Sequence, residues 1–509
     1  MTAAATEAVA DLLRGICGPD AVRPAGHGDA VGGRRPTWVT APADAAELAA
    51  LVRACAEQDL AIVARGEGSK IDWGNPPRRV DVLVDMGRLA GVYRHDADDL
   101  VATVGAGTPL RAVQAALAKR NQRLAIDPAS TDATIGGLLA VGEAGPLRLG
   151  YGTPRDQLIG VEFVRADGVI GHSGGRVVKN VAGYDLGKLL AGSYGTLALV
   201  TSATFRVHPK PMASAYVSRP VTSPMEAHDL VIALLGSGLA PAAIELDLPI
   251  INPGALPPMV SRPTPGRRAM PGGSLAERPR PATGSAAPAA GSGATSPETS
   301  DASAASPDVP RLPDAARSSR TERPGRPTTT GTVAVLLEGT TAGIKARASD
   351  ASKLMRGATV SERPPDWWGR YPFHADDVAL KIATPTADLY AALYALRDAA
   401  GFPVSVRGSV GVGVCYASLP GRPAASSTIE APRGDPMPRH ARQIADVISA
   451  LRTTLIARGG SCVVMNAPPA IRDAVDMWPD VNGLELMRAV KRQFDPGDRL
   501  SPGRFVGGI

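Results

Sequence analysis

The chain has 509 residues, a formal net charge of +6 and 44% hydrophobic residues, which indicates an ordinary soluble protein of several domains. No stretch of about 18 apolar residues is present, so no membrane-spanning helix is predicted. The four cysteines form no CxxC pair, which argues against a structural zinc site or an iron–sulfur cluster within this chain.

The basic charge is concentrated in one place. Residues 261–330 contain ten arginines and six acids, and the rest of the chain is close to neutral. A nucleic-acid-binding protein would carry its basic residues on a folded surface, so we expect no nucleic acid partner. The N-terminus carries acids and has no basic start before an apolar run, so we predict no signal peptide and a cytoplasmic location.

The first elements follow from local patterns. Residues 1–35 are expected to form a short helix and a loop, and Asp44 to cap a second helix. Buried strands are predicted at 60–65, 80–86 and 100–107 because β-branched and apolar residues run together there.

Glycines then occur every few positions up to residue 200. A hairpin is predicted at 161–170, with Asp167-Gly168 at its turn, and a long bent strand or strand pair at 197–209. Residues 37–120 and 125–210 therefore resemble two lobes of mixed α and β structure.

The segment 251–330 breaks this pattern. It is rich in Pro, Ala, Gly, Ser, Thr and Arg, and residues 261–330 contain no aromatic residue. Such a composition buries too little apolar surface to fold, so we predict a disordered insertion, with a regulatory or partner-binding tail as the alternative. Strands and helices alternate again from Gly331, which favours a smaller α+β domain.

Gly66-Glu67-Gly68-Ser69-Lys70 follows a predicted strand and is a candidate phosphate-binding loop. Glycines let backbone N–H groups approach a pyrophosphate, and the serine and lysine can add contacts. A dinucleotide-binding fingerprint requires a third glycine and a helix that starts directly after the loop. Position 71 is Ile instead of Gly, and the residues after it cannot start a helix. The segment 183–188 is one residue short of a nucleotide-binding P-loop.

Further glycine and hydroxyl clusters follow at 128–137, 150–156, 179–186 and 192–196. A long, flat ligand with polar edges needs such a lining, because backbone groups satisfy its edges and glycines let the chain lie against it. A loop-rich fold that only needs positive φ angles is the alternative, and the succession of clusters favours the ligand.

At these residues the sequence resembles the FAD-binding domain of the vanillyl-alcohol oxidase and p-cresol methylhydroxylase (PCMH) flavoproteins, and within them the FAD-binding subunits of bacterial glycolate oxidase. The resemblance covers about 37–210 and the tail at about 484–505, and its most specific string is GGRVVKNVAGYDLGKLLAGSYGTLALVT (174–201). It implies an α+β fold: a two-lobed PCMH-type FAD-binding domain followed by a smaller, ferredoxin-like cap domain with a long disordered insertion.

The implied division is an N-terminal segment (1–35), the FAD-binding domain (36–211), the cap domain (212–250 and 331–480), the insertion (251–330) and a C-terminal segment returning to the FAD domain (481–509). The resemblance also implies a set of cofactor-binding residues. They are Gly66, Glu67, Gly68, Ser69, Lys70, Pro128, Ser130, Thr131, Thr134, Gly136, Gly137, Gly150, Gly152, Thr153, Asp156, Lys179, Gly195 and Val200. Arg504 matches the family's closing Asn-Pro-Gly-Arg, with Ser501 in place of the Asn.

Two departures from the family pattern refine the expectation. Residues 65–70 contain no histidine, so FAD should be bound noncovalently. The seven histidines include no HxH pair, which relatives that oxidise 2-hydroxy acids use to hold a metal, so no metal is expected. No catalytic residue is assigned, and Lys179, Arg155 and Arg407 are the candidate cations for a substrate carboxylate.

The resemblance implies the FAD-binding subunit of a glycolate oxidase complex, which oxidises glycolate, a small 2-hydroxy acid, to glyoxylate. Its partners would be a homologous catalytic flavoprotein subunit and an iron–sulfur subunit, and through them it would lie in the cytoplasm or on the inner membrane face. A self-sufficient FAD-dependent 2-hydroxy-acid dehydrogenase and an assembly subunit with a vestigial flavin site are the alternatives.

Overall fold

The computed structural model describes residues 3–175, 183–251, 331–423 and 437–509. They belong to one of the two compact units of the chain, Met1–Ala255 with Pro327–Ile509. The strands are β1 (Val22–Pro24), β2 (Trp38–Thr40), β3 (Ile62–Arg65), β4 (Val82–Asp85), β5 (Val92–Asp96), β6 (Val101–Gly105), β7 (Gln122–Arg123), β8 (Leu158–Arg165), β9 (Ile170–Gly174), β10 (Ala198–Arg206), β11 (His208–Pro209), β12 (Ala213–Val221), β13 (Ala243–Ile251), β14 (Gly331–Gly339), β15 (Thr359–Ser361), β16 (Val378–Ala383), β17 (Val404–Gly408), β18 (Val414–Leu419) and β19 (Ser461–Asn466).

The helices are α1 (Ala3–Cys17), α2 (Ala45–Glu57), α3 (Leu110–Ala118), α4 (Ile135–Val141), α5 (Arg148–Tyr151), α6 (Pro154–Gln157), α7 (Leu186–Leu190), α8 (Pro224–Leu235), α9 (Thr341–Met355), α10 (Leu389–Ala400), α11 (Met437–Ile456), α12 (Pro469–Arg472) and α13 (Leu484–Phe494). Within the described ranges, no helix is long and apolar enough to cross a membrane.

Two sheets form the N-terminal part of the chain. The first has the order β1-β2-β4-β3, in which β4 runs parallel to both β2 and β3. The second has the order β5-β6-β10-β8-β9 and is antiparallel throughout. Two lobes were expected at 37–120 and 125–210, and the two sheets correspond to them with a different boundary: β5 and β6, expected in the first lobe, belong to the second sheet because β6 pairs with β10. Helix α2, capped by Asp44, packs in one core with strands of both sheets. The predicted 161–170 hairpin extends from Leu158 to Gly174 as β8 and β9.

The third sheet has eight antiparallel strands in the order β15-β12-β14-β13-β17-β18-β16-β19. We call this sheet and its helices, the described residues from β12 to α12, the cap. The chain order is β12-α8-β13-β14-α9-β15 followed by β16-α10-β17-β18-α11-β19, which is the ferredoxin-like β-α-β-β-α-β unit twice. The units join edge to edge where β13 pairs with β17. Sequence reasoning predicted one such unit, because the long insertion obscured the repeat.

One face of the cap sheet is covered by its helices, and the other contacts the N-terminal lobes. Ala125 and Leu147 of the lobes pack on Ala243 and Leu336 of the sheet. Beside this apolar contact, Arg123 donates to both oxygens of Glu338 at 2.8 and 2.6 Å. An arginine–carboxylate fork of this kind fixes orientation as well as contributing energy, so it sets how the cap lies on the lobes.

The C-terminal tail lies against the first lobe. Ile62 of β3 donates its N–H to the carbonyl of Arg499 at 2.7 Å, and Ser501 donates to the carbonyl of Ile62 at 2.8 Å. Lys491 of α13 is buried, where it donates to the carbonyl of Thr196 at 2.9 Å and to Asp495 at 2.6 Å. These bonds bring residues 501–504 beside the loop that follows β3.

The predicted disordered insertion, apart from Ile251 at the end of β13, lies outside the described residues. The four cysteines, expected to be reduced and buried, are buried and unpaired.

Candidate functional site

A cleft lies between the loop after β3, the start of α4, the turn before β10 and the tail. Ten of the predicted binding residues line it: Gly66, Glu67, Gly68, Ser69, Lys70, Thr134, Gly136, Gly137, Gly195 and Val200. Three stretches that are distant in sequence therefore converge on one cleft.

The loop after β3 requires glycine for steric and conformational reasons. A Cβ on Gly66 would overlap the hydroxyl of Thr134, so this loop and the turn before α4 touch directly. Gly68 has a φ of +79°, which side chains disfavour. The backbone N–H groups of Glu67, Gly68 and Ser69 have no acceptor among the described residues. Consecutive free N–H groups of this kind suit an anion such as a diphosphate.

The side chain of Lys70 is engaged in a buried ion pair. Its ammonium lies 2.8 Å from Glu143 Oε2, and the two side chains are only 5% and 1% exposed. The other oxygen of Glu143 accepts from the hydroxyls of Ser130 at 2.9 Å and Tyr371 at 2.7 Å. Lys70 and Ser130 thus belong to a buried network that joins the cleft wall to the cap.

The turn before α4 is held against β6. Thr134 caps α4 by accepting from the N–H of Gly137, and Gly136 donates to the carbonyl of Ala106 at 2.8 Å. A Cβ on Gly136 would lie 3.0 Å from that of Ala106, so a larger residue would push the turn off the strand.

The turn before β10 forms the opposite wall. Tyr194 and Gly195 are both left-handed, with φ of +57° and +71°. The Tyr194 ring packs at 5.1 Å from Trp478 and 5.6 Å from Phe505, and burial raises the pKa of its hydroxyl. These contacts hold a strained residue in place, as is common at binding sites.

Arg504 supplies positive charge to the cleft. Its guanidinium donates to the carbonyls of Ile71 at 2.5 Å and Trp73 at 2.9 Å, its Nε has no partner, and no described carboxylate lies within 4.0 Å. Burial lowers its pKa to about 10, so it remains a cation at neutral pH. A buried cation without a counter-ion is costly, and an anionic ligand would offset that cost.

Other predicted residues lie away from the cleft lining. Gly150 donates to the carbonyl of Ala242 in the cap at 3.0 Å. Gly152 has a φ of +78°, and Thr153 and Asp156 form a capping box on α6. Ser130 lies in the Glu143 network. Pro128 and Thr131 do not line the cleft, and Lys179 lies outside the described residues. Their roles toward a cofactor stay predictions.

The other candidate cations for a carboxylate are engaged elsewhere. Arg155 is exposed and donates to the carbonyl of Lys188 at 3.1 Å. Arg407 pairs with Asp247 at 2.7 Å. Among the described residues, no group of three or more His, Cys, Asp or Glu side chains is placed to hold a metal ion.

Sequence reasoning missed Tyr194, Ser501 and Glu143. A signal existed for Tyr194, which precedes a predicted glycine in the Gly192–Thr196 cluster. A signal also existed for Ser501, which stands in place of the Asn in the closing tail motif. None existed for Glu143, because only the folded chain brings it to the loop.

The residues of the cleft fit FAD. Free backbone N–H groups and the unpaired Arg504 suit its pyrophosphate, and the hydroxyls of Ser69, Thr134 and Ser193 can serve its sugar and ribityl chain. The walls contributed by Met86, Leu199 and Val200 are apolar, as a flavin or adenine ring requires.

Comparison with known proteins agrees with this geometry. Residues 36–174 match the model of the FAD binding domain family. The chain is 38% identical over 163 residues to glycolate oxidase subunit GlcE of Escherichia coli, which is 32% of this chain and 46% of that protein. It is 31% identical over 207 residues to D-lactate dehydrogenase of Archaeoglobus fulgidus, which is 41% of this chain and 46% of that protein. The matches thus span about half the length of these relatives.

The solved structure of p-cresol methylhydroxylase with substrate bound has the same fold. Its TM-score is 0.65 at 13% identity, and the match covers 99% of this chain and 97% of that one. The expected PCMH-type fold is therefore confirmed over lobes and cap alike. Residues 36–174 therefore match an FAD binding domain, the fold is that of p-cresol methylhydroxylase, and the cofactor is FAD.

Proposed function

We propose that the chain is an FAD-dependent oxidoreductase subunit of the glycolate oxidase and D-lactate dehydrogenase type. The observation that carries this proposal is the cleft, which is lined by the unpaired Arg504 and by residues 67–69, whose backbone N–H groups have no acceptor among the described residues. Similarity to two FAD enzymes of small 2-hydroxy acids supports the reaction class.

More specifically, we infer that the chain is the FAD-binding subunit of a glycolate oxidase complex. The similarity to GlcE supports this choice, as does the sequence, which has no HxH pair. Partners would then supply the remaining chemistry: a homologous catalytic flavoprotein subunit and an iron–sulfur subunit. We expect the complex to convert glycolate to glyoxylate.

FAD, when bound, supplies a ring that accepts a hydride. The residues of this chain hold it and shape its surroundings. The amides of 67–69 and Arg504 would bind the pyrophosphate noncovalently, since residues 65–70 contain no histidine. The Lys70–Glu143–Tyr371 network joins the loop to the cap.

A self-sufficient 2-hydroxy-acid dehydrogenase is the second candidate, favoured by the similarity to D-lactate dehydrogenase of Archaeoglobus fulgidus. An assembly subunit with a vestigial site is less well supported, because the N–H groups of 67–69 and the charge of Arg504 are retained.

The test is anaerobic reduction of the purified chain by glycolate, measured as the loss of flavin absorbance at about 450 nm. The complex predicts bleaching only when the co-expressed partner subunits are present. Bleaching of the isolated chain would support the self-sufficient enzyme, and a colourless chain that takes up no FAD would contradict both.

A further inference from the structure

Arg148 is a cation at the contact between lobes and cap that pairs with no acid. It begins α5, and its Nε donates to the carbonyl of Gly145 at 3.0 Å. One terminal nitrogen donates to the hydroxyl of Tyr416 at 2.9 Å. No carboxylate oxygen of the described residues lies within 4.0 Å of the guanidinium, and its other terminal nitrogen has no acceptor there. An arginine in such a place normally has a counter-ion.

Tyr416 adds a second free donor. Its hydroxyl accepts from Arg148, so its own proton is available, and no acceptor for it is present in the described parts of the chain. The Tyr416 ring is 7% exposed and packs edge-on against Tyr371 at 4.8 Å. Two donors without an acceptor among the described residues therefore belong to neighbouring side chains, an arrangement that can bind a carboxylate.

The charges around this pair favour an anion. Arg407, on the neighbouring strand, is matched by Asp247 at 2.7 Å. Glu245 attracts Arg148 from beyond 4.0 Å, and burial raises its pKa to about 7. Burial also raises the pKa of Asp127 well above its ordinary value. Burial thus disfavours the negative charge on both acids, which reduces their repulsion of an incoming carboxylate.

The pair is connected to the FAD cleft. Tyr371, which packs on Tyr416, donates to Glu143, and Glu143 pairs with Lys70 in the cleft wall. The pair is thus linked to the cleft lining through Tyr371, Glu143 and Lys70.

We propose that Arg148 and Tyr416 bind the carboxylate of a small organic acid, with the guanidinium and the phenol hydroxyl as donors. This inference rests on the proposed function and names the residues that would recognise its substrate class.

The test is calorimetric titration of the purified, FAD-loaded chain with oxalate, which carries the carboxylate but has no C–H bond to lose as hydride. We expect Arg148→Met to weaken oxalate binding at least tenfold, since the main charge is lost. Tyr416→Phe keeps the ring packing and should weaken binding severalfold. Arg120→Met, at an exposed arginine paired with Asp98, is the matched control and should leave the affinity unchanged.

Bound FAD and the melting temperature are measured for each variant. If Arg148→Met loses FAD or fails to fold, Tyr416→Phe decides the outcome. Oxalate binding that both variants retain would overturn the inference, and so would an FAD-loaded wild type that binds no oxalate. A wild type that takes up no FAD would instead contradict the proposed function.

Discussion

Glu143 is the residue on which the cleft wall depends. It balances the buried Lys70 ammonium and accepts from Ser130 and Tyr371, so one carboxylate joins the cofactor loop to the cap. A buried ion pair contributes little net stability, but removal of one partner leaves the other as an uncompensated charge.

Lys70→Met should therefore destabilise the fold by about 3–5 kcal/mol, because the Glu143 carboxylate would lose its counter-ion. The double variant Lys70→Met, Glu143→Gln should recover part of that loss. Urea denaturation of Lys70→Met, Glu143→Gln and the double variant checks this. Additive losses in the double variant would show that the two side chains are not coupled.

Glu245 affects how the stability of the protein depends on pH. Burial raises its pKa from 4.5 to about 7, opposed by Ser409, Arg148 and Arg407. Between pH 4.5 and about 7 the unfolded chain releases this proton while the folded chain keeps it, so the group lowers stability as pH rises through that window.

Glu245→Gln should remove this loss of stability. The free energy of unfolding of the variant, relative to that of the wild type, should therefore be up to about 3 kcal/mol more favourable at pH 8 than at pH 4.5. Denaturation midpoints at pH 4.5, 6 and 8 for variant and wild type measure it. Parallel pH profiles would mean that Glu245 ionises normally in the folded chain.

At the scale of elements, the cleft consists of turns that touch. The loop after β3 contacts the turn before α4 through Gly66 and Thr134, and that turn contacts the end of β6 through Gly136 and Ala106. A change in one turn therefore displaces the next.

Gly66→Ala should reduce FAD retention and cost about 1–3 kcal/mol, because its methyl group would overlap Thr134. Gly28→Ala is the control, since a Cβ there meets nothing within 4 Å. Flavin absorbance after gel filtration and the melting temperature report both effects. Equal flavin content in the two variants would mean that the loop tolerates displacement.

Local sequence patterns predicted many of the caps, turns and loops. The Asp44 cap, the Asp167-Gly168 turn and the glycine loop each depend on neighbours in sequence, and the structure has them. What sequence could not provide was long-range: that Lys70 would pair with Glu143, that Gly150 would contact the cap, and that the cap holds two similar units. Such contacts are fixed by packing between distant segments, which periodicity does not report.

At the scale of the whole molecule, the residues between β13 and β14 join two adjacent strands. β13 and β14 are antiparallel, with Asp247 opposite Thr332, so a short hairpin loop can connect them.

Replacement of residues 252–330 by a short Asn-Gly loop should therefore leave the FAD content unchanged and the melting temperature within about 3 °C of wild type. Absorbance and thermal unfolding check this. Loss of FAD would show that the replaced segment contributes to the cleft.

The most direct test of the central claim is the amount of FAD per chain, measured in the supernatant and pellet after acid precipitation. We predict about one FAD per wild-type chain, released into the supernatant because binding is noncovalent. Gly68→Asp should release almost none, since its carboxylate would stand among the free N–H groups of the loop. Flavin that stays in the pellet, or a Gly68→Asp chain that releases as much FAD as wild type, would contradict the account.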